Sequence, residues 1–498
     1  MRFLLLFLSL ALSGCNSANQ TSLVTPDLAD VQRIATSPRV TQALESDVSR
    51  RYGGIYRHEP AEALVQATLQ DLIRAAGVPD LPQSVILLDS PVYNALALPN
   101  GQLFVTRGML ALANDRAELA AALAHELGHV ISRHSAQRIV ERARANADVQ
   151  NVARIFGDPD VVRATAAAHQ QSLAAFSRDK ELEADRIGVE LLSKAGYDPH
   201  AALRILQSLD RMGTFYANLA RLQRRPASPL ATHPPTPERV AATRKLIEGT
   251  GKASGRTDRE RYLATISGIS FGESGRAGFV RGRSFFHRGI NIAITMPQGY
   301  VVQGFPEAVG GIKQGGKTVV IFRRMADGVA GDPEGALRRL FARNGPEVTI
   351  GPLPAGQQGA MASTNTPKGK SKFAIVVVGG RPYRLFITST APDAAFDRDF
   401  SETLGSLRTL SQQDERIARP LNLRIVRAEG PVALGRYAAQ TGDGEHGVDL
   451  LLAINGLRSS SDLRPGSQIK VLEPGQAPAL PIAQPFPVEA VAAEPAAL

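Results

Sequence analysis

Two histidines four positions apart, the first followed directly by a glutamate, constrain this chain more than any other feature: His125-Glu126-Leu127-Gly128-His129. With 9 histidines and 47 acidic residues in 498 positions, chance would supply only ~0.015 such HExxH matches. Asp115 and Glu118 form a capping box ahead of the motif, and Ala120 to Ile131 is rich in helix formers, so the motif belongs inside a helix. There the two imidazoles lie ~40° apart on one face, and Glu126 is turned ~100° from His125. Imidazoles so placed can share a zinc ion, and the carboxylate can reach a water bound to it. Cys15 is the one cysteine of the sequence, which excludes an intramolecular disulfide and a thiolate zinc cage. Any further ligand must therefore be His, Asp or Glu.

His134 follows His129 by five residues and is ~140° off the motif's face, which argues against it as the third ligand. A ligand six residues past His129 is excluded because that position is Ser135. A carboxylate is the better partner, and Glu181-Leu182-Glu183-Ala184-Asp185 supplies it. A helical hairpin turning at Gly157-Asp158-Pro159 brings Glu181 within ~6 Å, along the axis, of the level of His129. Glu181 and Asp185 share a helix face while Glu183 points nearly opposite, so this cluster reads as one ligand plus one carboxylate that orients an imidazole.

Asn94-Ala95-Leu96-Ala97-Leu98-Pro99-Asn100-Gly101, Val105-Thr106-Arg107-Gly108, the HExxH run, Glu181 to Asp185 and Thr232-His233-Pro234 occur in this order between about Ser84 and Arg239. The ordered set resembles the gluzincin metallopeptidase family of HtpX, the CAAX prenyl endopeptidase and BepA, and it covers about a third of the chain. The resemblance implies one Zn2+ per chain held by His125, His129 and Glu181, with Glu126 as general base and Asp185 orienting a ligand. It implies that Ala95, Leu96, Ala97 and Leu98 form an edge strand on which a peptide substrate lies in β conformation. It also puts His233 and Arg239 where relatives carry groups that approach the metal or substrate, so both join Glu126 as catalytic candidates. A His at that place either plugs the metal's open position or donates to the transition-state oxyanion. The membrane helices of HtpX and the prenyl endopeptidase and the tetratricopeptide repeats of BepA have no counterpart here, so their substrates do not carry over.

The remaining sequence reads as a multidomain chain. Residues 1–15 resemble a lipoprotein signal, with Arg2, an apolar run from Phe3 to Leu12 and the lipobox Leu12-Ser13-Gly14-Cys15; Cys15 is the expected lipidation site. Residues 16–55 read as a tether and opening helix. A mainly α, zincin-type metallopeptidase domain with a small edge-strand sheet is expected over 56–248, then a Gly/Ser-rich linker over 249–280. Period-two patterns at Ile290, Ile292 and Ile294, a hairpin around Gly379-Gly380, and helices at Pro333 to Arg343 and Ala394 to Leu407 give an α+β domain over 281–412 with no recognisable site. Residues 421–473 resemble a LysM module, a small βααβ unit, although Glu429-Gly430-Pro431-Val432 replaces its usual polar step. The Ala/Pro-rich tail 475–498 is expected to be disordered. The net charge of +10 is spread without a basic block and with few aromatics, which argues against nucleic-acid binding. The expectation is a periplasmic lipoprotein anchored by its N-terminal lipid to the outer membrane of a Gram-negative bacterium, a zinc endopeptidase acting on envelope or misfolded proteins in quality control. Peptidoglycan contact would run through the LysM-like unit. Competing expectations are a catalytically restrained chaperone or scaffold, and a cell-wall hydrolase.

Overall fold

The computed structural model describes residues 27–475 except 79–80, 82–83, 157–158, 222–232, 234, 252–253, 274–277, 306–307, 342–347, 355, 367–368, 432, 440 and 442–445. The lipoprotein signal, Cys15, Thr232, Pro234 and the tail beyond Gly475 therefore lie outside the described residues.

Two helices, α1 (Leu28–Ala35) and α2 (Pro38–Arg51), occupy much of the segment expected to be a tether with an opening helix. Val31 of α1 is fully buried against Ala136 and Val140, and Tyr52 accepts a 2.8 Å hydrogen bond from Asn94 Nδ2, so this segment is packed onto the body. Helix α3 (Glu59–Ala76) follows, then strands β1 (Val85–Leu88), β2 (Ala95–Ala97) and β3 (Leu103–Thr106). These form a three-stranded sheet in the order β1-β3-β2, with β1 parallel and β2 antiparallel to β3. The hydrogen-bonding edge of β2 away from β3 pairs with no other strand among the described residues.

Helices α4 (Arg107–Leu112), α5 (Arg116–Ile131), α6 (His134–Phe156), α7 (Pro159–Lys194), α8 (His200–Leu219) and α9 (Pro237–Gly249) complete this part. Asp115 caps α5 by accepting from Glu118 N at 2.8 Å, while the Glu118 carboxylate reaches back to Asn114 N at 2.9 Å, one residue further than a simple capping box. Helix α6 ends at Phe156 and α7 begins at Pro159, on either side of the expected turn, whose Gly157 and Asp158 lie outside the described residues. One departure matters: the helix does not run on past the motif. It breaks at Ser132-Arg133, with Arg133 at φ 54°, and restarts at His134.

Within 249–280 the Gly/Ser-rich composition conceals structure. Helix α10 (Arg259–Ile266) buries Tyr262, Leu263 and Ile266 completely, and β4 (Ser270–Phe271) pairs with a strand 150 residues later. Three apolar positions at helical spacing in an otherwise polar stretch were the available signal.

The α+β part contains a three-stranded sheet, β5 (Phe279–Arg281), β6 (Ser284–His287) and β7 (Ile292–Thr295). A seven-stranded antiparallel sheet follows: β8 (Tyr300–Phe305), β9 (Ala308–Lys313), β10 (Thr318–Arg324), β11 (Thr349–Pro352), β12 (Gly359–Thr366), β13 (Gly369–Val378) and β14 (Arg381–Ser389). Its order is β11-β12-β13-β14-β10-β9-β8. The β13–β14 turn is Gly379-Gly380, both at positive φ (56° and 75°), the left-handed pair a tight hairpin requires. Helix α11 (Pro333–Phe341) covers one face of the sheet at its β11–β13 end, and α12 (Phe396–Gly405) packs on the opposite face.

After α13 (Gln412–Ile417), the chain forms β15 (Leu421–Arg427), α14 (Ala433–Ala438), α15 (Gly447–Ile454) and β16 (Gln468–Pro474), with β15 and β16 antiparallel. This β-α-α-β unit is not a separate bead. Leu423, Leu451, Ile454 and Leu472 join one hydrophobic core with Leu110, Leu112 and Leu123.

Candidate metal centre

Helix α5 presents His125 and His129, and α7 crosses it closely enough to bring Glu181 and Asp185 to the same point. Small residues allow that approach. A Cβ on Gly128 would lie 3.0 Å from Ala184 Cα and 3.0 Å from its carbonyl oxygen, and one on Gly188 would lie 3.3 Å from His125 N.

The inward nitrogens converge. His125 Nε2 and His129 Nε2 are 3.1 Å apart, and Glu181 places Oε2 3.3 Å from the first and Oε1 3.6 Å from the second. His233 enters from the segment before α9, its Nδ1 2.7 Å from Glu181 Oε1 and its Nε2 3.5 Å from Glu126 Oε1. One donor atom from each of His125, His129, Glu181 and His233 lies within 4.8 Å of every other. Two imidazole nitrogens at 3.1 Å can share only one proton, and the buried Glu181 carboxylate turns both oxygens to them. Imidazole nitrogens and a carboxylate converging on one point are the donor types and arrangement a cation needs, so this donor set fits a metal of the zinc class.

The outward nitrogens are also held. His125 Nδ1 lies 2.9 Å from Asp185 Oδ1, and Asp185 in turn accepts two hydrogen bonds from Arg239, from Nε at 2.8 Å and Nη2 at 2.7 Å. Arg239 Nη1 is 3.2 Å from Glu181 Oε2. The guanidinium is thus engaged with two carboxylates of the cluster, and its geometry is that of a positioning group more than a substrate donor. His129 Nδ1 lies 2.8 Å from His134 Nδ1, and His134 Nε2 lies 3.1 Å from Glu183 Oε2. His134 is therefore no ligand, yet it and Glu183 belong to the centre, which the reading of the sequence missed. The five-residue offset that takes His134 off the ligand face of a continuous helix puts it behind His129 once the helix breaks at Arg133.

Electrostatics follow from burial against pairing. Burial and the Arg239 charge lower His125, but hydrogen bonds to Asp185 and Glu181 outweigh them and hold it up to about 9. Burial, then the charges of His125 and His233, push His129 far below the ordinary imidazole range. Burial raises Glu181, but hydrogen bonds from His125 and His233 bring it well below the usual carboxylate range. Glu126 moves the other way: burial raises it, opposed by His233 and His125.

Strand β2 borders the same space. A cavity of about 1070 Å3 runs from His125, Glu126 and His233 past Asn94 and Ala95 to α8 and the seven-stranded sheet. Ala95, Leu96 and Ala97 pair with Val105, Phe104 and Leu103, and Leu98 lies just past the strand, donating its N–H to Gln102 O at 2.9 Å.

Residues 60–247 match the model of peptidase family M48. The chain carries an M48 peptidase domain. Over 174 residues it is 33% identical to the mitochondrial metalloendopeptidase OMA1 of Schizosaccharomyces pombe, covering 34% of this chain and 51% of that protein. Similarity to OMA1 of Arabidopsis thaliana is 37% identity over 129 residues, 26% of each chain. The beta-barrel assembly-enhancing protease of Escherichia coli K12 is 26% identical over 214 residues, 41% of this chain and 42% of that one. The chain thus spans about half or less of the length of these curated relatives. No helix among the described residues is long and apolar enough to cross a membrane.

Proposed function

We propose that the chain is a zinc-dependent endopeptidase. The observation that carries this is the convergence of His125, His129, Glu181 and His233 on one point, with Glu126 beside it. His125, His129 and Glu181 would hold the ion, which supplies an acidified water and polarises the scissile carbonyl. Glu126, raised by burial, takes a proton from the nucleophile and returns it to the leaving amine. Asp185 fixes the His125 ring through Nδ1, and Arg239 fixes Asp185. The open edge of β2, opposite its pairing with β3, can receive the substrate backbone as an added strand. His233, with Nδ1 on Glu181 and its ring in the donor set, is read as a plug that occupies the position a nucleophile needs until its segment withdraws.

The leader and lipobox support secretion and acylation at Cys15, and with them a periplasm-facing role on envelope or misfolded proteins. The βααβ unit resembles a LysM module, but Glu429-Gly430-Pro431-Val432 stands where such modules carry a polar step, so it binds glycan weakly at most.

The test is proteolysis of casein by the zinc-loaded parent and by Glu126→Gln. The variant should bind zinc with the parent's stoichiometry and lose turnover by about 10²-fold or more. Equal turnover would refute the mechanism. Aggregation suppression that survives in Glu126→Gln, with no turnover in the parent, would favour a chaperone. Muropeptide release by the parent would favour a cell-wall hydrolase.

A further inference from the structure

The α+β domain showed no site in its sequence, yet one half of its large sheet faces the catalytic cavity. Side chains of β9 and β10 alternate. Val309, Val320 and Phe322 point inward and are buried, while Ile312, Val319 and Ile321 occupy the other face and are half-buried. Register aligns that outer face: Val301 is opposite Ile312, Ile312 is opposite Val319, and Ile321 is opposite Gly310. The result is an aliphatic row beside a dent where Gly310 has no side chain.

At the β11–β13 end of the sheet the same face is covered, because Ala336 and Leu337 of α11 pack on Ala360, Ala362 and Phe373. At the β8–β10 end the cavity takes the helix's place. Val301, Ile312, Val319 and Ile321 line it together with His125, Glu126 and His233, and α8 contributes Leu209, Met212 and Tyr216 to the same wall system. Tyr216 is 44% exposed although it belongs to an otherwise apolar helix face. The β9–β10 hairpin is tied to the M48 domain where Gly315 N donates to Ala220 O, at the end of α8. The sheet is thus held over the cleft as a roof.

Resting on the peptidase reading, we propose that the outer face of β8–β10 is the second wall of the substrate cleft and selects extended segments with aliphatic side chains at alternate positions. The occupant follows from the geometry. A peptide laid along β2 sends successive side chains to opposite sides. One set faces the M48 side of the cleft, and the other faces Val301, Ile312, Val319 and Ile321; Gln303 is the polar residue on this stretch of the roof, and away from the metal centre Glu273 is the charged residue among the described residues that line the cavity. Burying an aliphatic side chain there is favourable, and burying an unpaired charge is costly.

The test uses the full, zinc-loaded chain carrying Glu126→Gln, and two fluorescein-labelled nonapeptides: one alternating Thr and Val, the other with Ser in place of each Val. The aliphatic probe should bind more tightly. Adding Ile312→Thr, Val319→Thr and Ile321→Thr should erase most of that preference, a loss of about tenfold or more in affinity for the Val probe. A second measurement avoids reliance on the variant's folding. A Val probe carrying one photoreactive benzophenone side chain should crosslink within residues 301–321 of the protein without the roof substitutions. An undiminished preference in the triple variant, or crosslinks confined to residues 60–247, would overturn the proposal. Cleavage of the Val probe by the parent is scored separately. Bound but uncut probe would sink the peptidase reading and leave the roof standing, whereas cleavage without roof dependence would do the reverse.

Discussion

At the metal centre each histidine of the motif has one nitrogen facing the shared point and one held from behind. The partner of His125 is the Asp185 carboxylate. The partner of His129 is another imidazole, His134, itself backed by Glu183. Fixing the outer nitrogen sets the tautomer and the ring direction, and loss of such a partner typically costs 10–100-fold in metal affinity. His134→Ala should therefore weaken zinc binding by about that factor in a chelator competition titration, with Glu183→Gln having a smaller effect of the same sign. Unchanged affinity in His134→Ala would return that residue to a packing role. His233 makes a prediction of opposite direction. As a plug its removal raises casein proteolysis, whereas an oxyanion donor's removal would lower it by ~10²-fold or more; the initial rate for His233→Ala decides between them. The motif residues and the acidic run could be read from the chain because their chemistry is local and periodic. The His134-Glu183 pair could not, because its placement depends on a helix break at Ser132-Arg133 that neither residue's propensity announces.

At the scale of elements, the centre exists because α5 and α7 cross almost in backbone contact. The hairpin arithmetic that brings Glu181 level with His129 is visible in the sequence, since proline and glycine mark the turn and the helices have a fixed rise. The closeness of the crossing is not, because Gly128 and Ala184 become neighbours only in three dimensions. Gly128→Val would add three carbons where a single Cβ already lies 3.0 Å from Ala184 Cα and from its carbonyl oxygen. Neither atom is the end of a flexible side chain, so α7 must shift, and overpacking of this kind costs about 1–3 kcal/mol. The expected outcome is a lower unfolding midpoint together with weaker zinc binding, because the shift carries Glu181 and Asp185 with it. A variant that loses neither would show that the helices have room to separate.

At the scale of the molecule, the β-α-α-β order of the C-terminal unit was legible, but its attachment was not. An apolar stripe on a small unit does not say whether it packs inwardly or against a neighbour, and here it does the latter. The contact has a charged rivet. Lys470 is fully buried, and its Nζ donates to the carbonyls of Ala111, Leu112 and Ala113 at 2.8, 3.0 and 3.0 Å, satisfying the end of α4 just before the motif helix begins. Burial lowers this ammonium from 10.5 to about 7, against the pull of Glu118 and Asp115. Between those two values the unfolded chain binds more protons at this position than the folded one, so the contribution of the site to stability rises as pH rises from about 7 to about 10. Lys470→Met removes the titration and leaves the three carbonyls unpaired, a loss that does not vary with pH. Comparing parent and variant by urea unfolding cancels the groups that titrate in both. The gap in unfolding free energy should favour the parent and be wider at pH about 9.5 than at pH about 7. A gap that stays constant or narrows would mean that the carbonyl cap keeps Lys470 charged throughout, and the rivet would then be an ordinary buried ammonium.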